Sequence, residues 1–381
     1  METTRSIVHM DLDAFFVSVE RRQDSRLQNT PLIIGGTSDR GVVSSCSYEA
    51  RRFGVRAGMP VHMAKKLCPY AVVLKGDYDA YEKCSREITE LIQEESPLFE
   101  KASIDEFYID LTGMERFYGC FKWAHALRMR IMKETHLPLS MGLSVNKLVS
   151  KIVTNHAKPN GEQYLLSKQV EPFLSPLHVG KIPQIGEKTS HRLCYRGVRD
   201  IATLRLIPQN ILTGVFGKQG HFLYESARGH DDRPVIPWRE RKSISTESTF
   251  PEDTMDVAFL RKTLVQMTEK LAFQLREARL LTTCITVRLR YANFETVTKQ
   301  ATISHAYTDD LLIPKALALL DQLYQKRLRV RLVGVKLSHL APGGQQIQLF
   351  QDIPRQSDLY TALDHIRRKY GTKSIQLGIG V

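Results

Sequence analysis

The stretch Ser103-Ile104-Asp105-Glu106-Phe107-Tyr108-Ile109-Asp110 constrains the fold most, because it sets two adjacent carboxylates at a turn between two alternating, strand-like runs. A carboxylate pair repels itself and is costly to desolvate, so a buried one needs a cation, a shared proton or hydrogen bonds. From the octapeptide alone, solvated turn residues and a metal site are equally good readings. A second acidic element bears on the choice. Ile7-Val8-His9-Met10 reads as a short strand feeding Asp11-Leu12-Asp13-Ala14-Phe15-Phe16 at a helix start. Asp13 reads as the N-cap of that helix, whereas Asp11 lies too early for a cap, on the strand side. Hard divalent cations such as Mg²⁺ take oxygen ligands and leave places for substrate phosphates, so carboxylates from separate strands suit two-metal phosphoryl transfer. The pattern is compatible with a metal without being diagnostic of one.

At 381 residues the chain is long enough for two or three domains. Its formal net charge of +13 points to a polyanionic partner, since basic surfaces gather phosphates and release counterions on binding. No apolar run approaches the roughly 18 to 20 residues of a spanning helix, and the N-terminus lacks a signal-peptide pattern, so a soluble, cytoplasmic protein is expected. Cys46, Cys68, Cys84, Cys120, Cys194 and Cys284 are scattered with no CxxC pairing, which argues against zinc or a disulfide framework and for small core residues.

Along the chain, Pro31 to Gly36 ends a strand on two turn glycines, and Gly41 to Ser45 reads as the next strand. Tyr48 and Arg51 follow, three apart on one face of a helical turn, either solvated or reaching the same phosphate. Tyr81, Cys84, Ile88, Leu91 and Ile92 recur at helical spacing until Pro97, and Phe117, Phe121, Ala124, Leu127 and Ile131 mark a second helix. With a strand at Leu139 to Leu143, this alternation suggests an α+β, ferredoxin-like sheet. Lys158, before Pro159-Asn160-Gly161, is a lone basic loop residue on its own evidence. Gly180 to Thr189 holds a glycine hairpin ahead of a helix start, either a plain tight turn or a set of exposed N–H groups for a DNA phosphate.

Residues 231 to 242 combine two prolines with crowded charges, as an exposed, trypsin-sensitive interdomain linker does. Residues 236 to 340 carry 17 basic and 11 acidic side chains, a surplus of six. In Cys284 to Arg290, and again in Arg327 to Leu332, arginines alternate with aliphatics, so two strands each turn an arginine face to solvent. Two such faces in one sheet suit a phosphate backbone. Ala341-Pro342-Gly343-Gly344 reads as a flexible break before Gln346-Ile347-Gln348-Leu349-Phe350, and Leu359, Leu363 and Ile366 place one helix between Asp358 and Tyr370.

Four motifs in order, DLDAFFVSVE from Asp11, SSCSYEARRFGVRAGM from Ser44, SIDEFYIDLTG from Ser103 and GLSVNKLVSKIVTNHAKPNG from Gly142, resemble those of the Y-family translesion DNA polymerases. Within that family the likeness is to the DNA polymerase IV and kappa branch, and it runs from Ile7 to Leu340. The resemblance implies an α+β, multidomain right-hand polymerase with a ferredoxin-like palm at residues 1–19 and 78–165 and small fingers at 20–77. A helical helix-hairpin-helix thumb follows at 166–232, then a linker at 233–242, a C-terminal α/β little-finger domain at 243–340, and a tail at 341–381. It implies template-directed, error-prone extension of a primer 3′-hydroxyl by two-metal phosphoryl transfer, without proofreading.

By the same resemblance, Asp11, Asp105 and Glu106 hold two Mg²⁺ ions, with the Leu12 carbonyl completing one metal's shell. Tyr48, Arg51 and Lys158 bind the incoming triphosphate. Phe16, otherwise a core phenylalanine, is the steric gate against a ribose 2′-hydroxyl, and the small Ser44 and Ser45 leave little bulk over the nascent base pair. Gly186 and Lys188 of the hairpin, with Arg288, Arg290, Arg327, Arg329 and Arg331, contact DNA. Gln346, Leu349 and Phe350 resemble the motif by which bacterial polymerases plug a groove on the sliding clamp. The expected partners are primer-template DNA, a deoxynucleoside triphosphate and a clamp, and the expected state is monomeric. A nucleotide cyclase would share the palm and the metals, yet has no need of a hairpin or an arginine-faced module. A catalytically dead relative has no need of the three carboxylates, Tyr48, Arg51 and Lys158.

Overall fold

The computed structural model describes residues 5–38, 40–115, 119–343, 353–371, 374–375 and 378, with 353–357 as backbone only. The chain divides into two compact units, Met1–Arg239 and Glu240–Val381. The first unit runs β1 (Ile7–Leu12), α1 (Phe15–Gln23), β2 (Leu32–Gly35), β3 (Val43–Cys46), α2 (Tyr48–Arg52), α3 (Val61–Leu67), β4 (Val72–Leu74), α4 (Tyr78–Glu95), β5 (Phe99–Lys101) and β6 (Glu106–Asp110). It continues through α5 (Cys120–Thr135), β7 (Leu139–Ser144), α6 (Lys147–Ala157), β8 (Glu162–Tyr164), α7 (Val170–Leu174), α8 (Glu187–Tyr195), α9 (Ile201–Arg205), α10 (Gln209–Phe216) and α11 (Lys218–Ala227).

Its centre is a five-stranded sheet in the order β5-β6-β1-β7-β8. β1 pairs antiparallel with both β6 and β7, so the β1-α4-β5-β6-α5-β7 path is the expected ferredoxin-like arrangement. Alternation along β1 sorts its side chains by face. Val8, Met10 and Leu12 join the apolar core with Phe107, Ile109, Leu139, Met141 and Leu143, beneath α1, α4 and α5. His9 and Asp11 turn the other way, toward α6.

That second face is covered closely. A Cβ built on Gly142 of β7 would stand 2.5 Å from the Ser150 carbonyl oxygen and 2.6 Å from the Thr154 nitrogen, both α6 backbone, so only glycine admits the helix at this depth. The opposite side of α6, Leu148, Val149, Ile152 and Val153, fills the core of the helices α7 to α11. The three-stranded sheet β3-β2-β4 has its own small core around Ile33, Val43, Val55 and Val61.

Two expectations are corrected here. Asp13 is not the cap of α1: Ala14, with a left-handed φ of 44°, holds that position without a side-chain bond, because the Asp13 carboxylate is engaged elsewhere. The 231–242 stretch is not a free linker throughout. Val235 is buried against Ile7 and Tyr108, and the buried Glu100 accepts from the Ile236 amide at 2.8 Å and from Arg239 at 3.1 Å. Lys147 secures the same Glu100 at 2.6 Å, which fixes residues 235–239 to the first unit. The helix expected through Phe121, Ala124, Leu127 and Ile131 is α5, and Phe117 lies outside the described residues.

The second unit is β9 (Ser243–Thr254), α12 (Val257–Glu277), β10 (Leu280–Tyr291), β11 (Thr296–Ala306), α13 (Asp309–Leu323), β12 (Val330–Pro342) and α14 (Ile353–Tyr370). Its sheet has the order β11-β10-β12-β9, with α12 and α13 on the face built by Ile285, Val287, Leu289, Val333, Val335 and Leu337. The other face is polar. In register across it stand Thr298, Arg288, Gly334 and Glu247, then Thr296, Arg290, Leu332 and Thr249. Arg327 and Arg329 are the correction in this unit: they precede β12, which starts at Val330, because exposed Leu328 finds no core to pack against. Arg331 is on the strand, its guanidinium 4.7 Å from the Phe294 ring centroid.

The expected tail helix is longer than the sequence pattern and is held by buried charge. Arg276 of α12 donates to both Asp364 oxygens at 2.7 and 3.0 Å and to Asp309 at 3.0 Å, while Arg367 closes the group at 3.5 Å from Asp309. Five of the six cysteines are buried, Cys194 partly, and all are free. Among the described residues no helix is long and apolar enough to cross a membrane.

Two substitutions test this packing. Gly142→Ala should cost about 3 kcal/mol, as overpacking against rigid backbone does, seen as a lower denaturant midpoint for the first unit. Asp364→Ala leaves Arg276 half-compensated in a buried site and should cost about 3 kcal/mol, with trypsin then cutting at Arg367 or Arg368 in a chain that otherwise resists it there.

Candidate active site

The β1–β6 register places Asp11 directly opposite Glu106, and the Leu12 amide donates to the Asp105 carbonyl oxygen at 3.1 Å. The three acidic residues, 95 positions apart at their widest, therefore converge at one end of the sheet. They converge because β5 and β6 form a tight hairpin, closed by Ala102 and Ser103 amides on the Glu106 carbonyl. The Asp105 carboxylate is oriented by Ser103, whose hydroxyl donates to Oδ1 at 2.6 Å.

Both opposed carboxylates carry an ammonium from α6 and its end. Lys158 Nζ lies 2.5 Å from Asp11 Oδ1, and Lys151 Nζ lies 2.8 and 2.6 Å from the two Glu106 oxygens. Burial dominates at Asp11, which is 5 % exposed: it pushes the carboxyl up to about 7 although Lys158 pulls the other way. At Glu106 burial also acts upward, but Lys151, with a neighbouring contribution from His9, holds the carboxyl well below the usual range. His9 Nε2 is 3.9 Å from Glu106 Oε2, too far for a hydrogen bond, so we assign the main effect to Lys151. Burial lowers His9 itself to about 4.

Tyr48, Ser140 and Asn160 meet through Asp13. Its carboxylate, 1 % exposed, accepts from the Tyr48 hydroxyl at 3.0 Å, the Ser140 hydroxyl at 2.7 Å and the Asn160 amide at 2.6 Å. These bonds tie α2, β7 and the Lys158–Gly161 loop to the strand that carries Asp11. Arg51 lies on the same side of α2 as Tyr48, its guanidinium 4.5 Å from that ring's centroid. Phe16 is half-buried, stacked on Tyr81 at 4.3 Å and edge-on to Tyr78 at 5.6 Å, which leaves part of its ring open on a fixed aromatic bed. Ser44 is exposed and Ser45 half-buried on β3.

Farther from the carboxylates, α8 starts at Gly186 with no side-chain cap, and a Cβ there would meet open space; Lys188 is exposed beside it. Arg288, exposed and paired with Glu247 at 2.6 Å, and Arg290, bonded to Thr296, share the open face of the second unit's sheet. Gln346, Leu349 and Phe350 lie outside the described residues.

Reading the sequence missed His9, Lys151 and the role of Asp13. One signal was available: Lys147, Lys151, Thr154 and Lys158 recur at helical spacing, a polar stripe opposite Leu148, Val149, Ile152 and Val153.

The donor set suits a divalent cation. A ligand atom from each of His9, Asp11 and Glu106 lies within 4.8 Å of the others, two of the three are carboxylates, and the desolvated Asp11 lacks full compensation.

Comparison with known proteins agrees with this geometry. Residues 10–155 match the impB/mucB/samB family and residues 241–349 that family's C-terminal domain. A DNA polymerase IV of Dehalococcoides mccartyi is 37% identical over 98% of this chain and 97% of its own length, and one of Alkalilimnicola ehrlichii is 38% identical over 88% and 95%. Among solved structures, the Y-family DNA polymerase chimera Dbh-Dpo4(243-245)-Dbh superposes with a TM-score of 0.81 at 28% identity, covering 89% of this chain and 100% of that one. The insertion ternary complex of Dbh DNA polymerase gives 0.64 at 27%, covering 89% and 100%. With both family regions matched and nearly the whole length aligned, the chain belongs to the Y family of DNA polymerases, in its DNA polymerase IV group, and is a divalent-metal-dependent, DNA-directed DNA polymerase of translesion synthesis.

Proposed function

We propose that Asp11, Asp105 and Glu106 hold two Mg²⁺ ions, with the Leu12 carbonyl as a further ligand. The pairing of Asp11 with Glu106 across β1 and β6, with Asp105 one residue away, is the observation that carries this reading. When bound, such ions activate the primer 3′-hydroxyl and neutralise the departing pyrophosphate. The remaining steps belong to the chain. Lys158 and the Tyr48–Arg51 pair take the triphosphate, and Asp13 keeps Tyr48 and the Lys158 loop at the right separation through its three hydrogen bonds. Phe16, held against Tyr81 and Tyr78, blocks a ribose 2′-hydroxyl by bulk. Ser44 and Ser45 leave space over the nascent base pair, which suits lesion tolerance.

On this reading residues 1–19 and 78–165 form the palm, 20–77 the fingers, 166–232 the thumb, 233–242 the linker, 243–340 the little finger and 341–381 a clamp-binding tail. Primer-template DNA is held without sequence readout by the uncapped start of α8 at Gly186 and Lys188, by Arg288 and Arg290 on the open sheet face, and by Arg327, Arg329 and Arg331 beside it. The enzyme acts as a monomer in the cytoplasm, and Gln346, Leu349 and Phe350 engage a sliding clamp.

Primer extension with four deoxynucleotides and Mg²⁺ tests the centre of the proposal. Asp105→Ala or Glu106→Ala should abolish extension and leave DNA affinity nearly unchanged; extension near the wild-type rate removes these residues from the site. Phe16→Ala should admit ribonucleotides, and intact sugar discrimination would count against the gate. Arg290→Ala should weaken binding equally on all sequences and reduce the slope of log affinity against log salt by about 1.

A further inference from the structure

Arg128 lies on α5, and only 6 % of it is exposed. A guanidinium keeps its charge at that depth, so its N–H groups need acceptors in a fixed plane. Four oxygen atoms meet it: Nε donates to the Leu139 carbonyl at 2.8 Å, Nη1 to Glu162 Oε2 at 3.3 Å, and Nη2 to the Asn160 carbonyl at 3.0 Å and to Asn160 Oδ1 at 2.7 Å. Glu162 supplies the opposite charge. The other three bonds fix the position of what they hold, and two of them hold Asn160.

Asn160 is the turn of the Lys158–Gly161 loop, with a left-handed φ of 48°. Asparagine tolerates that conformation, but neighbours must enforce it. Its amide donates to Asp13 Oδ2 at 2.6 Å while its carbonyl and side-chain oxygens accept from Arg128, so the residue is gripped from two sides. Asp13 Oδ1 in turn accepts from the Tyr48 hydroxyl at 3.0 Å. Next to Asn160 the loop has no slack, since a Cβ on Gly161 would stand 2.0 Å from the Ala157 carbonyl oxygen. Lys158 and Tyr48 come from separate elements, and neither element alone sets the distance between them. The path Tyr48–Asp13–Asn160–Arg128 does so, and it ends on α5, whose Ala124, Leu127 and Ile131 are set in the core.

We propose that Arg128 is a positioning residue for nucleotide binding, which holds Asn160 from the core side so that Lys158 and Tyr48 present their donors to one triphosphate at a fixed separation. The inference rests on the reading of Lys158 and Tyr48 as triphosphate ligands. Arg128 itself touches no substrate, and its effect passes through the loop. Lysine is no substitute, because an ammonium is a single point of donation and cannot serve Leu139 and both Asn160 oxygens in one plane.

Single-turnover primer extension over a range of deoxynucleotide concentrations tests this in the full chain. Arg128→Lys should raise the half-saturating deoxynucleotide concentration about tenfold and leave primer-template affinity within about twofold. In a Lys158→Ala background the same substitution should change that concentration less than about twofold, because residues acting through one contact are not additive. A purely structural role would lower only the fraction of primer extended in the first turnover, and that result overturns the proposal. So does an equal effect of Arg128→Lys with and without Lys158. If Lys158→Ala alone leaves the half-saturating concentration unchanged, it is the triphosphate reading that fails, and the proposal falls with it. Where Arg128→Lys does not fold, Asn160→Gly decides: it removes only the Oδ1 bond, keeps a backbone that glycine adopts freely, and should raise the half-saturating concentration about threefold. No change there overturns the proposal.

Discussion

The first unit depends on how α6 lies against the central sheet. Helices on sheets ordinarily bury an apolar stripe between them, but α6 turns its apolar side to the helices α7 to α11 and its polar stripe to the sheet. Gly142 lets it approach, and Lys147, Lys151, Thr154 and Lys158 then meet Glu100, Glu106, His9 and Asp11 in turn. Four polar groups that the first unit turns toward the helix thus each meet a side chain from one row.

This arrangement serves chemistry more than stability. Pairing buried charges roughly balances the cost of taking them out of water, and apolar residues of the same volume would hold the helix at least as well. What the ion pairs preserve is a set of carboxylates that remain charged or poised to be, at a depth where electrostatic forces are strong. Burial raises Asp11 to about 7 despite its lysine. Glu100 uses the same device for a different end, since the carboxylate that Lys147 neutralises also grips the chain at Ile236 and Arg239.

The second unit reuses the β-α-β-β-α-β path with the faces assigned differently. One side of its sheet is an ordinary apolar core under α12 and α13, and the other is left open, with hydroxyls around Arg288, Arg290 and Lys336. Its C-terminal helix is seated by charge: Arg276 and Arg367 join Asp309 and Asp364 in a group that excludes water. A network of this kind is demanding in geometry, so it specifies where α14 sits more sharply than a greasy contact would.

The order of strands and helices, the hairpin that carries Asp105 and Glu106, and the four motifs around the site were legible in the residues because each is local: a period of two or 3.6, a turn, a cap. So were Tyr48 and Arg51 on one helical face. Asp13 misled because a cap and a hub look alike in sequence; only folding brings Tyr48, Ser140 and Asn160 to the same carboxylate. The arginine run misled because Leu328 alternates like a strand residue but meets no core. His9 and Glu100 were silent for the same reason, since a buried polar side chain has meaning only through partners far along the chain. Local patterning thus determined the elements and the chemistry they carry, and the tertiary structure alone decided which charges face each other, because strand register and the depth of one helix set those distances.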